Sequence, residues 1–267
     1  MPMVQTRAGR VAYSENGSGP TILLLHATLH DRHDFDPIVD TLARRYRTIA
    51  VDWPGHGDSD PIDAAVEPSA PLFADVLEDV ADGLGVSRAV LIGNSVGGFA
   101  AARLAINRPE SVAGLVLVNA GGFVPLTAPV RAFCRVLGTP AIQRRAAPLF
   151  IRGYMRAKTD SDRAIVERAV AAARTDEGIR VVAGLWRSFA TPGHDLRGRA
   201  PELSAPTLIV WGKEDIAIPL RAGRATHASI RGSRFETLDT GHVAFSSDPA
   251  GFLAVAEPFL ESVCRRV

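Results

Sequence analysis

Little in this chain marks it for an oxidising compartment, a membrane interior or a nucleic acid. Only two cysteines occur in 267 residues. Cys134 and Cys264 stand far apart with no C-x-x-C spacing, so they read as reduced packing residues rather than a disulfide framework or a metal site. No apolar run approaches the roughly 20 residues that a membrane helix needs, and "MPMVQTRAGR" has no signal-peptide apolar region. A cytoplasmic location with no membrane span is the expectation. A formal charge of +1 and the lack of any block of like charges argue against a nucleic-acid partner. There is no P-loop, no G-x-G-x-x-G and no internal repeat, so no cofactor is expected. Oligomeric state is not legible.

What the chain does have is 46% apolar residues, enough for one sizeable core, in short runs that alternate with segments of helical spacing. Strands are expected at 21–26 ("TILLLH"), 47–52, 89–94 ("AVLIGN"), 113–120, 206–212 ("PTLIVWG") and 233–239. Continuous aliphatic runs of this kind suit parallel strands covered on both faces. Helices are expected at 34–45, 71–84 and 249–263, the last opened by Asp248 as N-cap and Pro249 at the first position. The rhythm breaks between Gly121 and about Pro206, where helical segments replace strands. This predicts an α/β core in two parts, 1–120 and 206–267, interrupted by a helical cap at 121–205. The cap holds fourteen lysines and arginines against seven acids, an excess that either attracts anionic substrates or simply solvates helix faces.

In "RAVLIGNSVGGFAAARLA" a serine stands between Gly93 and Gly97, where an apolar run stops and an alanine-rich one begins. A serine on a sharp strand-to-helix turn projects its hydroxyl above the sheet edge, and its neighbours must be small for the turn to close. The helix that follows would aim free N–H groups at developing negative charge.

On these residues the chain resembles the α/β-hydrolase superfamily over nearly its whole length. That resemblance makes Ser95 a nucleophile, and four further motifs stand in the family's order around it. "LLLHATLHDRHDF" looks like the oxyanion loop, with the backbone N–H groups of Thr28 and Val96 as the implied oxyanion hole. "DWPGHGDSD" is similar to the supporting D-x-P-G-H-G-x-S loop. Asp215 in "WGKEDIAIP" matches the acid and His242 in "TGHVAF" the base, with Glu214 as the rejected neighbour of the acid. His194 precedes the acid and His227 sits within an expected helix, so neither is taken as the base. The resemblance thus implies a Ser95–His242–Asp215 triad acting through an acyl-enzyme.

The implied substrate is a carboxylic ester or lactone of modest acyl size. His30, Trp186 and Arg187 are candidate substrate contacts, and apolar cap residues such as Phe133, Phe150, Tyr154 and Phe189 are candidates for the acyl wall. The histidines and aspartates of the oxyanion loop lack H-E-x-x-H spacing, so no metal is expected. Alanine at position 27, where the family has glycine, would be unfavourable if the loop needed a positive φ there, and it keeps a hydroxynitrile lyase reading open. "GNSVGG" is similar to the elbow of carbon–carbon bond hydrolases that act on carboxylate-bearing diketones. A ligand-binding receptor on the same scaffold is a third alternative.

Overall fold

The computed structural model describes residues 1–265. The expected rhythm is realised as β3 (Thr21–Leu25), β4 (Arg47–Val51), β5 (Ala89–Asn94), β6 (Val112–Val118), β7 (Thr207–Gly212) and β8 (Arg234–Leu238). Two strands not foreseen, β1 (Met3–Thr6) and β2 (Gly9–Asn16), precede them. The eight strands form one sheet in the order β1-β2-β4-β3-β5-β6-β7-β8. β1 pairs antiparallel with β2 and β2 with β4, while every other pairing is parallel.

The apolar runs are continuous because alternate residues enter opposite cores. Leu23, Leu25, Leu91, Leu115, Leu117, Ile209 and Trp211 face one side of the sheet. Ile22, Leu24, Val90, Ile92, Val116, Leu208 and Val210 face the other. Helices α2 (Ala70–Gly83) and α3 (Val96–Asn107) supply the first core. Helix α1 (Asp36–Ala43) and the C-terminal α10 (Pro249–Cys264) supply the second, behind the one-turn α9 (Ala244–Ser247). Asp248 caps α10 as expected, accepting from the Gly251 N–H.

Between β6 and β7 lie four α-helices and no strand: α4 (Ala128–Leu137), α5 (Pro140–Met155), α6 (Asp160–Ala172) and α7 (Asp176–Phe189). Each begins after a threonine, and at Thr127, Thr159 and Thr175 the hydroxyl accepts a first-turn N–H, the capping that separates one helix from the next. One further helix, α8 (Leu220–Ser229), connects β7 to β8. Among the described residues no helix is long and apolar enough to cross a membrane. Both cysteines are free.

Candidate active site

Strand β5 ends at Asn94, and α3 starts two residues later. Ser95 makes the turn with φ 56° and ψ −115°, a conformation that costs a non-glycine residue roughly 1–3 kcal/mol and persists only where the surroundings enforce it. They do so through three backbone hydrogen bonds. Ser95 N–H donates to Val118, and the Ser95 carbonyl accepts from Gly121 and Phe99. The flanking glycines are needed for space. A Cβ on Gly97 would lie 2.2 Å from the Leu25 carbonyl oxygen, and one on Gly93 would lie 2.4 Å from that of Gly97.

The loops after β7 and β8 deliver a carboxylate and an imidazole. His242 Nδ1 donates to Asp215 Oδ2 at 2.7 Å. The same oxygen accepts from Asn119 Nδ2 at 2.6 Å, and Oδ1 accepts from the N–H groups of Ala217 and Ile218. Asp215 is buried, with all its bonds aimed inward. Glu214 points the other way and pairs with Arg156 and Lys158 at the surface. Gly241 is needed before the histidine because a Cβ there would meet the Tyr154 carbonyl at 2.3 Å; that carbonyl accepts from the His242 N–H.

Ser95, His242, Thr28 and Val96 all line one cavity of about 730 Å³. Ser95 Oγ and His242 Nε2 make no hydrogen bond to each other or to any other group of the described residues, so each is free to engage a ligand. Among the described residues the backbone N–H groups of Thr28 and Val96 likewise have no protein acceptor. Catalytic contacts often tighten only when substrate is bound.

The loop after β3, the expected oxyanion loop, takes its left-handed turn at Leu29, φ 67°, and Ala27 has no positive φ. An alanine at 27 is therefore unstrained, and the concern raised by its methyl group disappears. Two buried histidines hold the loop. His26 Nε2 accepts from Trp53 N–H, and its Nδ1 donates to Ala27 O. His56 Nε2 accepts from Leu29 N–H at 3.0 Å, and its Nδ1 donates to Pro54 O. Asp52, also buried, accepts from Arg32 N–H, Asp58 N–H and the Arg32 guanidinium. The D-x-P-G-H-G-x-S segment thus braces the loop that follows β3.

Two of the candidate substrate contacts stand elsewhere than expected. His30 does not line the cavity: it is buried behind it, with Nδ1 on Asp34 at 2.6 Å and Nε2 on the Tyr154 hydroxyl at 2.9 Å. Arg187 turns outward to Glu67 and the Gly138 carbonyl, because a guanidinium finds its acceptors there and none in the apolar wall. Trp186 does line the cavity, with Phe133, Phe150, Tyr154 and Phe189. Tyr154 also sets its ring edge-on to His242 at 5.2 Å.

Several site residues were not singled out from the sequence. Asn94 donates to the carbonyls of Val118 and His242, tying the elbow to the histidine loop. Asn119 holds Asp215 and accepts from Gly212 N–H. The available signal was an asparagine ending an otherwise apolar strand. His194 also lines the cavity, between the rings of Phe99 and Phe189 at 4.7 and 4.6 Å. Its Nε2 and the Thr28 hydroxyl are buried polar atoms without a partner among the described residues.

Burial pushes His56 down to about 3 and His194 down to about 4. Both stay neutral when folded, whereas unfolded they bind protons below about pH 6.5. Their contribution is complete above pH 6.5 and is lost as pH falls towards 4 and 3, each histidine steepening the decline by up to ~1.4 kcal/mol per pH unit. Urea unfolding at pH 7 and pH 5 should show this loss. His194→Phe, which removes an unpaired nitrogen from between two rings, should be as stable as the parent at pH 7 and lose less at pH 5. An equal loss in the two proteins refutes the assignment.

The sheet order, the serine on its strained turn and the buried carboxylate–imidazole pair define a hydrolase of the α/β class. The chain belongs to the alpha/beta hydrolase fold family, whose model matches residues 20–249. It is 33% identical to a 2-hydroxy-6-oxononadienedioate/2-hydroxy-6-oxononatrienedioate hydrolase of Paraburkholderia phymatum, over 80% of this chain and 77% of that one. It is 29% identical to an uncharacterized protein of Mycobacterium tuberculosis, over 96% and 78%. Among solved structures, a thermophilic esterase from Thermogutta terrifontis superposes with a TM-score of 0.81 at 25% identity, covering 98% of each chain.

Proposed function

We propose that the protein cleaves carboxylic esters or lactones of modest acyl size through an acyl-enzyme on Ser95. The observation that carries this reading is the His242–Asp215 pair on the same cavity as a serine held at the head of α3. Asp215 fixes the tautomer in which Nδ1 carries the proton, leaving Nε2 as the base that takes the Ser95 proton during attack. The tetrahedral oxyanion forms against the N–H groups of Thr28 and Val96, each such donor being worth roughly 3 kcal/mol. His242 then gives its proton to the leaving alcohol and activates water for deacylation. The helices between β6 and β7 act as a cap whose aromatic side chains wall the acyl site.

A second reading, carbon–carbon bond hydrolysis, is favoured by the names of the curated relatives. Their named compounds are dicarboxylates. In this cavity Arg221 is the sole cation on the wall among the described residues, so the lining favours uncharged esters. Purified protein should turn over short p-nitrophenyl esters faster than a 2-hydroxy-6-oxo-dienedioate, and a fluorophosphonate should label Ser95. Faster cleavage of the diketone would establish the second reading; no labelling and no turnover of either would overturn both.

A further inference from the structure

Large apolar side chains exposed to water are concentrated on one part of this protein. Among the described residues they are Met1, Val66, Phe133, Val136, Ile142, Leu149 and Ile216. Phe133 and Val136 are on α4, and Ile142 and Leu149 are on α5. The fifth, Ile216, lies against α5, because a Cβ on Gly153 would meet its Cδ1 at 2.9 Å. Helix α4 buries only Cys134 and Leu137; the rest of it stands at the surface, although apolar residues outnumber polar ones.

The same segment is purely cationic. Residues 121–159 contain Arg131, Arg135, Arg144, Arg145, Arg152, Arg156 and Lys158 and no acid. Arg144 pairs with Asp176, and Arg156 and Lys158 share Glu214. Arg131, Arg135 and Arg145 have no carboxylate partner among the described residues. On α5, Ile142, Arg145, Leu149 and Arg152 recur at intervals of three and four, so apolar and basic side chains alternate along one exposed helix face.

We propose that the α4–α5 face docks on an anionic lipid bilayer. Val136, Ile142, Leu149 and Phe133 enter the boundary between headgroups and acyl chains, and the arginines lie on the lipid phosphates. An amphipathic surface with arginines beside large apolar residues has this preference. A second copy of the chain is the wrong occupant, since a two-fold contact would set arginines against arginines. An acidic protein would satisfy the charges, but the surface has a further feature that suits lipid. Phe133 and Ile216 are exposed and also line the cavity, so the apolar surface continues into the apolar wall. A docked bilayer would cover the cavity mouth and let an apolar substrate enter without crossing water. This inference is independent of the chemistry assigned to Ser95.

Co-sedimentation of the full chain with large vesicles tests it. The protein should pellet with phosphatidylcholine–phosphatidylglycerol vesicles at low salt, and at least tenfold less with phosphatidylcholine alone. The triple variant Arg131→Gln/Arg135→Gln/Arg145→Gln should partition about a hundredfold less, at roughly fivefold per charge. Val136→Ser/Leu149→Ser should lose at least tenfold on the same vesicles. All of these side chains are exposed, so thermal midpoints near that of the parent should confirm that the variants are folded. No pelleting with anionic vesicles overturns the proposal. So does equal pelleting with the two lipid compositions, or a dimer that the apolar double variant abolishes.

Discussion

Ser95→Ala should lose turnover by on the order of 10⁴-fold or more, with KM and folding stability changed little. Under the proposed mechanism, removing the serine leaves only what the oxyanion donors and substrate binding provide. The left-handed backbone at Ser95 is imposed by its bonds to Val118, Gly121 and Phe99, and alanine meets the same strain as serine there. The elbow should therefore stay folded, with the change in unfolding free energy below ~1 kcal/mol. His242→Ala should fall to a similar level, and the double variant should be hardly worse than either single one, because in the proposed mechanism the serine and its base act as a unit. Asp215→Asn should lose about 10⁴-fold, since an amide beside Nδ1 stabilises the tautomer that carries the proton on Nε2. A Ser95→Ala protein that kept more than a tenth of parental kcat would exclude Ser95 as the nucleophile. Steady-state kinetics on one p-nitrophenyl ester, with burst titration to count active sites, provides the readout.

The second large effect concerns folding. Gly97→Val should destabilise the protein by about 4 kcal/mol or more, at the extreme of what point substitutions do. Its Cβ would sit 2.2 Å from the Leu25 carbonyl oxygen and 2.9 Å from that of His26. Both are backbone atoms at the end of β3, so relief requires β3 and α3 to separate, opening the elbow and the loop after β3 together. Gly198 is the control: nothing lies within 4 Å of its Cβ position, and its φ is not positive. Gly198→Ala should stay within ~0.5 kcal/mol of the parent. Urea midpoints of the three proteins decide the matter, and a Gly97→Val protein as stable as the parent would show that the contact at the elbow is not tight.

The parallel strands were legible because each is a short aliphatic run buried on both faces, and such burial leaves its mark residue by residue. Strands β1 and β2 left no such mark. Glu15 and Asn16 are exposed, and the hairpin turns through Arg7 and Ala8 into Gly9, φ 107°, so polar residues interrupt the apolar ones at the sheet edge. The helix from 71 to 84 and the Asp248 cap were legible for the same local reason: periodicity and capping are set within a few residues. The roles of Asn94 and Asn119 were not, since each bonds across to a segment far along the chain.

By itself the sequence determined the α/β alternation and the glycine-flanked serine, both of which depend on neighbours close in the chain, while Asp215 and His242 as acid and base were expected from the family resemblance. Only the tertiary structure decided that Asp215 and not Glu214 turns inward, that His30 stands behind the cavity, and that Arg187 leaves it for Glu67. Adjacent residues compete for such places on equal local terms, and the outcome depends on which acceptors and cations a distant loop brings within about 3 Å.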